Sequence, residues 1–384
     1  MADITGFASR LYRGEANLNI VGKRQKWFAV AGGITLVAII ALFVFGFKGG
    51  IEFTGGNEFT IPASVSPSIT EVQEAVAAEV HKFQPDARIN PGQQIGDGAE
   101  AVYSIQTPAL TADESNAVKQ AIAAKYNIDA QGDISDSQIS ARWGESVTQQ
   151  ALWALVIFLA AVTAYLSVRF EWRMAVAAVV SLLFNLLVTA GIYSVVGFEV
   201  TPNTVIGFLT ILGFALYDVV VVFDKVQENT RGITGSSTQT YAEATNLALN
   251  QTFMRSINTS LVALLPVGGL LFIGAGLLGA GTLKDLGLVL FIGMGMAVFS
   301  SLFFASPVLV WLKEMDPVIQ NHTKRVLARR TQLAKAAAEG PVSEKKVVAA
   351  AAAPAAPVAP KAGAKPVRPA RQGNTGRQGT GKRR

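Results

Sequence analysis

Six runs of apolar residues, each near the length of a bilayer crossing, constrain this 384-residue chain more than any motif in it. A hydrocarbon core about 30 Å thick takes roughly 20 helical residues, and lipid tolerates no spanning segment whose backbone groups go unpaired. The runs are residues 27–47, 151–168, 174–198, 204–223, 257–278 and 286–312. With half of its residues hydrophobic and 16% charged, the chain reads as an α-helical polytopic membrane protein with six transmembrane helices. The first run is too long for a signal-peptide core. It is followed by Lys48-Gly49-Gly50 rather than a small-residue cleavage site, so an uncleaved helix is expected.

Residues 48–148, between the first two runs, have the size of a small domain. Glu58–Ile61 begins an extended segment. Ser68 and Glu71 have the spacing of a helix-capping box, and Val72, Val76 and Val80 supply the apolar stripe that follows. Residues 87–95 and 101–107 read as strands around a turn at Gly96-Asp97-Gly98. Thr111 and Glu114 repeat the capping box before a helix to Tyr126, and residues 134–141 alternate as a half-buried strand does. The order βαββαβ predicts a small α+β ferredoxin-like domain.

Charge assigns the sides. Arg10, Arg13, Lys23, Arg24 and Lys26 precede the first run, and Arg169 and Arg173 flank the gap between the second and third. Lys225, Arg231 and Arg255 border a polar stretch, 224–254, read as a loop. From Lys313 onward there are 16 Lys/Arg against 4 Asp/Glu, whereas the insert carries 6 against 14. Basic loops stay in the cytoplasm. The expected layout is therefore a cytoplasmic N-terminus (1–26), the first span (27–47), an external domain (48–148), spans two to six within 149–312, and a cytoplasmic tail (313–384). Beyond residue 339 the tail is rich in Ala, Pro, Lys, Arg and Gly, a composition that does not form a core. Its charge would attract anionic lipid or the ribosome, or serve only to fix orientation.

Asp218 interrupts the fourth run six residues before Asp224, ~9 Å along a helix from that end. An ionisable group at membrane depth costs ~2.5–3.5 kcal/mol on insertion scales and is retained for pairing or for ion movement. Arg255 stands at the mouth of the fifth run, which would lie antiparallel to the fourth, so a buried Asp218–Arg255 pair is expected. Such a pair serves either as a proton-carrying carboxylate that changes state when helices move or as a static clamp. Asn258, Thr259 and Ser260, with Ser256, are candidates to support Asp218 or to bond between helices; Asn185 in the third run is another interhelical group.

The chain has no cysteine, no P-loop and no G-x-S-x-G, and His81 and His322 have no partners at metal-binding spacing. No enzymatic activity, metal or cofactor is expected. Energy for any work would come from another subunit or an ion gradient.

Four segments resemble one family. GIEFTGGNEF, Gly50–Phe59, resembles the G-[IV]-D-F-x-G-G signature that follows the first span in the SecD/SecF family of the RND permease superfamily. ILGFALYDVVVVFDKVQEN (Ile211–Asn229), RSINTSLVALL (Arg255–Leu265) and Leu283–Val310 are similar to the fourth, fifth and sixth spans of its SecF branch. Glu52 stands where the signature usually has Asp, one methylene longer, and no role is assigned to it. Over about residues 20–315 the resemblance implies a subunit forming six spans, half of an RND-type arrangement, completed by SecD. It also implies work with the SecYEG channel, and with SecA and YajC-type subunits, on unfolded preproteins at the inner (cytoplasmic) membrane. That work would be a late export step driven by the proton-motive force, with Asp218 and Arg255 as the proton pathway. Two other functions share the layout: half of a different RND-type exporter of lipid or small molecules, and a non-transporting scaffold in which the pair only clamps helices. The roughly 100-residue insert is small for the former.

Overall fold

The computed structural model of the protein describes residues 18–338 apart from 97, 99–100 and 278–280, with no side chains described at 275–283 or 337–338. The chain divides into two units, Met1–Arg329 and Arg330–Arg384, and the described part of the second, residues 330–338, is helical. Most of the N-terminal segment and the low-complexity tail fall outside the described residues.

Among the described residues, six helical stretches are long and apolar enough to cross a membrane: Val21–Phe45, Ala141–Arg169, Trp172–Val196, Pro202–Gly235, Tyr241–Gly274 and Lys284–Glu314. Their regular parts are α1 (Arg24–Phe45), α5 (Ala141–Arg169), α6 (Trp172–Val196), α7 (Pro202–Thr230) and α8 (Tyr241–Gly268). The last is α9 (Gly281–Phe299), which passes through a π-helical stretch, Ser300–Ala305, into α10 (Ser306–Glu314). A further helix, α11 (Pro317–Ala338), follows.

Several helices outrun the apolar runs that predict them. The stretch 224–254 is a loop only over residues 231–240: α7 continues to Thr230 and α8 starts at Tyr241. Thr240 and Glu243 form a reciprocal capping box there, a signal that lies outside the apolar run. Likewise α5 begins at Ala141, capped by the Ser140 hydroxyl. An apolar run measures the bilayer, whereas a helix extends as far as its backbone bonds and caps allow.

The insert is built on β2 (Gly56–Pro62), α3 (Ile69–Val80), β3 (Gln93–Ile95), β4 (Val102–Thr107), α4 (Ala112–Tyr126) and β5 (Ser135–Ile139). It is preceded by β1 (Lys48–Gly49) and a one-turn helix, α2 (Ile51–Thr54). The four strands lie in the order β3-β4-β2-β5 and every neighbouring pair is antiparallel. That is the ferredoxin-like arrangement. Phe59, Ile61, Tyr103 and Ile105 turn to one face of the sheet and pack against Val72, Val76, Val80, Val118 and Ile122. The opposite face carries Glu58, Ser104 and Gln106, with Glu58 opposite Gln106 across the β2–β4 ladder.

Three local expectations are corrected. The Thr111–Glu114 box forms, but Ser68 makes no side-chain cap, because Glu71 accepts instead from the Ser66 hydroxyl at 2.6 Å. Only Gln93–Ile95 of the predicted strand 87–95 is extended in the sheet. β5 is an edge strand, exposed from Ser135 to Gln138 rather than alternately buried.

The domain is anchored to the bundle at Gly55 and a small parallel ladder. Gly55 has φ +75°, and a Cβ there would lie 2.6 Å from the Cα of Ala141 at the start of α5. β1 pairs with β6 (Glu199–Val200), in the connection between α6 and α7. The far end of the bundle is held by ion pairs: Arg169–Asp224 at 2.6 Å, together with Arg24–Glu314, Lys313–Glu171 and Arg173–Asp316. Between these ends α1 lies against α6 so closely that a Cβ on Gly191 would come within 2.6 Å of the Ala38 Cα. Gly191→Leu should therefore destabilise the bundle by about 1–3 kcal/mol, the usual cost of overpacking. Gly32→Leu, on α1 with nothing within 4 Å, should leave stability unchanged. Unfolding of the two variants in detergent distinguishes them.

Candidate functional site

Asp218 lies on α7, buried to 2% exposure among the apolar residues Leu212, Ala215, Val219 and Val222 of the same helix. The carboxylate is not alone. Its Oδ1 accepts from the Ser256 hydroxyl on α8 at 2.7 Å, and its Oδ2 accepts from the Ser301 hydroxyl in the π-helical stretch after α9. One side chain thus ties three spans together through two neutral donors.

The third contact depends on the local irregularity of the last span. A π-turn widens the helix by one residue and recurs at functional sites. Here the widened stretch carries Ser300 and Ser301, both buried completely. Their carbonyls take extra donors, Ser181 on Ser300 at 3.3 Å and Ser306 on Ser301 at 3.4 Å. The distorted backbone is therefore supported by hydroxyls from α6 and α10, as a bilayer environment requires.

The predicted Asp218–Arg255 ion pair is absent among the described residues. Arg255 is in the middle of α8, not at its start, and is exposed. Its neighbour Ser256, about 100° further round the helix, occupies the inward position. Of the other expected supports, Asn258 is exposed and Thr259 partly so. Ser260 is buried but donates to the Ser256 carbonyl at 2.7 Å, not to Asp218. Asn185 is completely buried on α6 with neither side-chain polar atom partnered among the described residues, so no hydrogen bond links it to the group. Ser301 escaped the sequence reading. The signal was the adjacent pair Ser300-Ser301 within an apolar run.

Chemically, the site is a carboxylate with two hydroxyl donors on separate helices and no cation within ion-pair distance among the described residues. Burial opposes its charged form and donated hydrogen bonds favour it. Any displacement of α8 or α9 against α7 alters that balance. No group of three or more His, Cys, Asp or Glu among the described residues has the geometry to hold a metal ion.

Comparison with known proteins converges on the same segment. The family model for the protein export membrane protein SecD/SecF, C-terminal, matches residues 118–315, which contain Asp218, Ser256 and Ser301. The chain is 45% identical over 339 residues to the protein translocase subunit SecF of Mycobacterium tuberculosis H37Rv, covering 87% of this chain and 75% of that one. It is 43% identical over 345 residues to the subunit of the same name from Streptomyces coelicolor, covering 90% and 89%. A crystal structure of SecDF, a translocon-associated membrane protein from Thermus thermophilus, matches at a TM-score of 0.66 and 26% identity. That match covers 77% of this chain but 39% of the SecDF chain.

A double-mutant cycle tests the hydrogen bonds at Asp218. Ser256→Ala should cost about 1–3 kcal/mol of stability at neutral pH, because a donor to a buried carboxylate is lost. In an Asp218→Ala background the same change should cost at least about 0.5 kcal/mol less, as expected for residues in contact. Denaturant unfolding in detergent measures both, and equal costs would show that the contact does not form.

Proposed function

The chain belongs to the SecF family of protein translocase subunits, within the SecD/SecF protein export membrane proteins, and we propose that it couples the proton-motive force to a late step of protein export through Asp218. The observation that supports this is a buried carboxylate held by neutral hydroxyls from two other spans, with no ion-pair partner among the described residues. A static clamp is better served by a cation, which would lock the charge in place. Two hydroxyls leave the group free to take and lose a proton as its donors move.

Arg255 enters on the same proposal in a second state of the bundle. It precedes Ser256, so a turn of α8 by about 100° would bring its guanidinium to the place the Ser256 hydroxyl now holds. Alternation between a hydroxyl and a cation beside Asp218 would release and recapture the proton. Asn258, Thr259 and Ser260 remain proposed as groups that line the path during that turn.

A partner is part of this function. The chain corresponds to about two fifths of SecDF, and the proposed complement is SecD, which supplies the other six-span half. The proposed assembly acts on unfolded preprotein at the SecYEG channel, with SecA and YajC-type subunits as further partners. The basic ends lie on the cytoplasmic side of the cell membrane and the ferredoxin-like domain outside, in keeping with the charge asymmetry of the loops.

Export of a reporter preprotein in cells carrying Asp218→Asn tests the coupling, with abundance of the chain and of its complex with SecD followed alongside. Asparagine keeps shape and loses titration. Export should fall to the level of a deletion while the complex persists. Unchanged export would remove Asp218 from the mechanism and leave it a helix-pinning residue.

A further inference from the structure

At the end of the bundle away from the Arg169–Asp224 ion pair, the polar face of the ferredoxin-like sheet covers a cavity of about 280 Å³. Glu52 on α2, Glu58 on β2, and Ser104 and Gln106 on β4 line it from the domain; Glu199 on β6 and Asp285 near the start of α9 line it from the bundle. Asp285 is 7% exposed and Glu199 5%. Three acceptor oxygens within this lining, Glu52 Oε2, Gln106 Oε1 and Asp285 Oδ1, are buried without a hydrogen-bond partner among the described residues. Ser104 donates to Glu58, and the Gln106 and Asn90 side chains stand near enough to Glu199 to favour its charged form.

The neighbouring cations form no ion pair with the group among the described residues. Lys284 immediately precedes Asp285 in the chain and directs its Nζ over the Phe198 ring, 5.2 Å from the centroid. Lys48 is the Cα partner of Glu199 across the β1–β6 ladder, yet it is exposed, and a Cβ on Gly197 would stand 3.2 Å from its Nζ. Neither lysine forms an ion pair with any of the four carboxylates, nor does another cation among the described residues. Tyr193 on α6 gives its hydroxyl to the Glu199 carbonyl at 3.2 Å, not to the carboxylate. Acceptors face acceptors across the seam between domain and bundle, and the missing complement is hydrogen.

We propose that this cavity is a proton-binding site that fastens the ferredoxin-like domain to the bundle: protons on its carboxylates keep the sheet seated, and their loss pushes the two apart. Like charges brought together in a buried site cannot all ionise. Because carboxylates come from both sides of the seam, each ionisation adds repulsion across it. Burial, reinforced by Asp285 and Glu52, pushes Glu199 up to about 7 from an ordinary value of 4.5. Burial also raises Glu52, with Glu58 adding to the effect. The seated form binds protons more tightly than the separated one. Its advantage from Glu199 is therefore complete below about 4.5 and is lost as the pH rises through about 7. The proposal does not depend on Asp218, which stands ~24 Å along α7 from its start at Pro202.

The chain has no cysteine, so two labels can be placed without background. Spin labels at Val196→Cys on the bundle and Gln131→Cys on the domain, both exposed positions outside the cavity lining, report the distance between bundle and domain in the full-length chain in lipid nanodiscs. One short distance should dominate at pH 5.5, and a longer population should grow at least about threefold by pH 8.5 with a midpoint near 7. In the triple variant Glu52→Gln, Glu199→Gln, Asp285→Asn, the amides supply the missing donors, so the short distance should persist at both values. Glu199→Gln alone, the milder change, should weaken the pH response if the triple variant does not fold. A distance distribution that ignores pH overturns the proposal, as does a response unchanged in these variants. Restoration of the short distance at pH 8.5 by sodium ions would also overturn it, by making the cavity a cation site.

Discussion

The hydrogen bonds from Ser256 and Ser301 to Asp218 are the interaction on which the bundle depends. A carboxylate at this depth would be ruinous if left bare, since burial of an unpartnered charge is among the largest penalties a fold can carry. Two hydroxyls from two other spans reduce that penalty and make the three helices mutually dependent. The π-helical stretch at Ser300–Ala305 belongs to the same arrangement: it carries Ser301, and its own carbonyls are tended by Ser181 and Ser306. Removing the carboxylate would leave the Ser256 and Ser301 hydroxyls without their common acceptor.

The two ends of the bundle are built differently, and the difference has consequences. One end is tied by paired charges, Arg24–Glu314, Arg173–Asp316, Lys313–Glu171 and Arg169–Asp224, which join spans distant in sequence. The other meets the ferredoxin-like domain across carboxylates with no cation in contact among the described residues. A fixed end and a titratable end suit a device in which the domain moves while the helix ends below stay in register. Gly55 and the β1–β6 ladder keep the domain attached through such a movement.

Much of this was legible in the sequence, because lipid restricts the choices so sharply. Six apolar runs became six spanning helices, and the capping box at Thr111 and the βαββαβ order gave the insert its ferredoxin-like topology. Asp218 declared itself by depth alone. The loop and Arg255 expectations failed because hydropathy marks where lipid is, not where a helix ends. Reading 224–254 as a loop set Arg255 at a helix start, within reach of Asp218, whereas α8 begins at Tyr241 and turns Arg255 outward with Ser256 inward. Ser301 was hidden because a π-turn leaves no periodic signature, and the Ser68 cap was lost to a competing bond between Ser66 and Glu71. The acidic cavity was not legible at all, since Glu52, Glu199 and Asp285 are far apart in the chain and meet only when the sheet is seated.

Proton coupling through Asp218, as proposed, requires that this carboxylate change its protonation state inside the bundle. Infrared difference spectroscopy of the chain with SecD in lipid bilayers reads this directly, through the C=O stretch of a protonated carboxylic acid. The account predicts a band that appears and disappears as the pH is cycled, absent from Asp218→Asn and displaced in Ser256→Ala. A spectrum in which no such band depends on Asp218 at any pH would mean that the carboxylate holds one state throughout, and proton coupling through it would be ruled out.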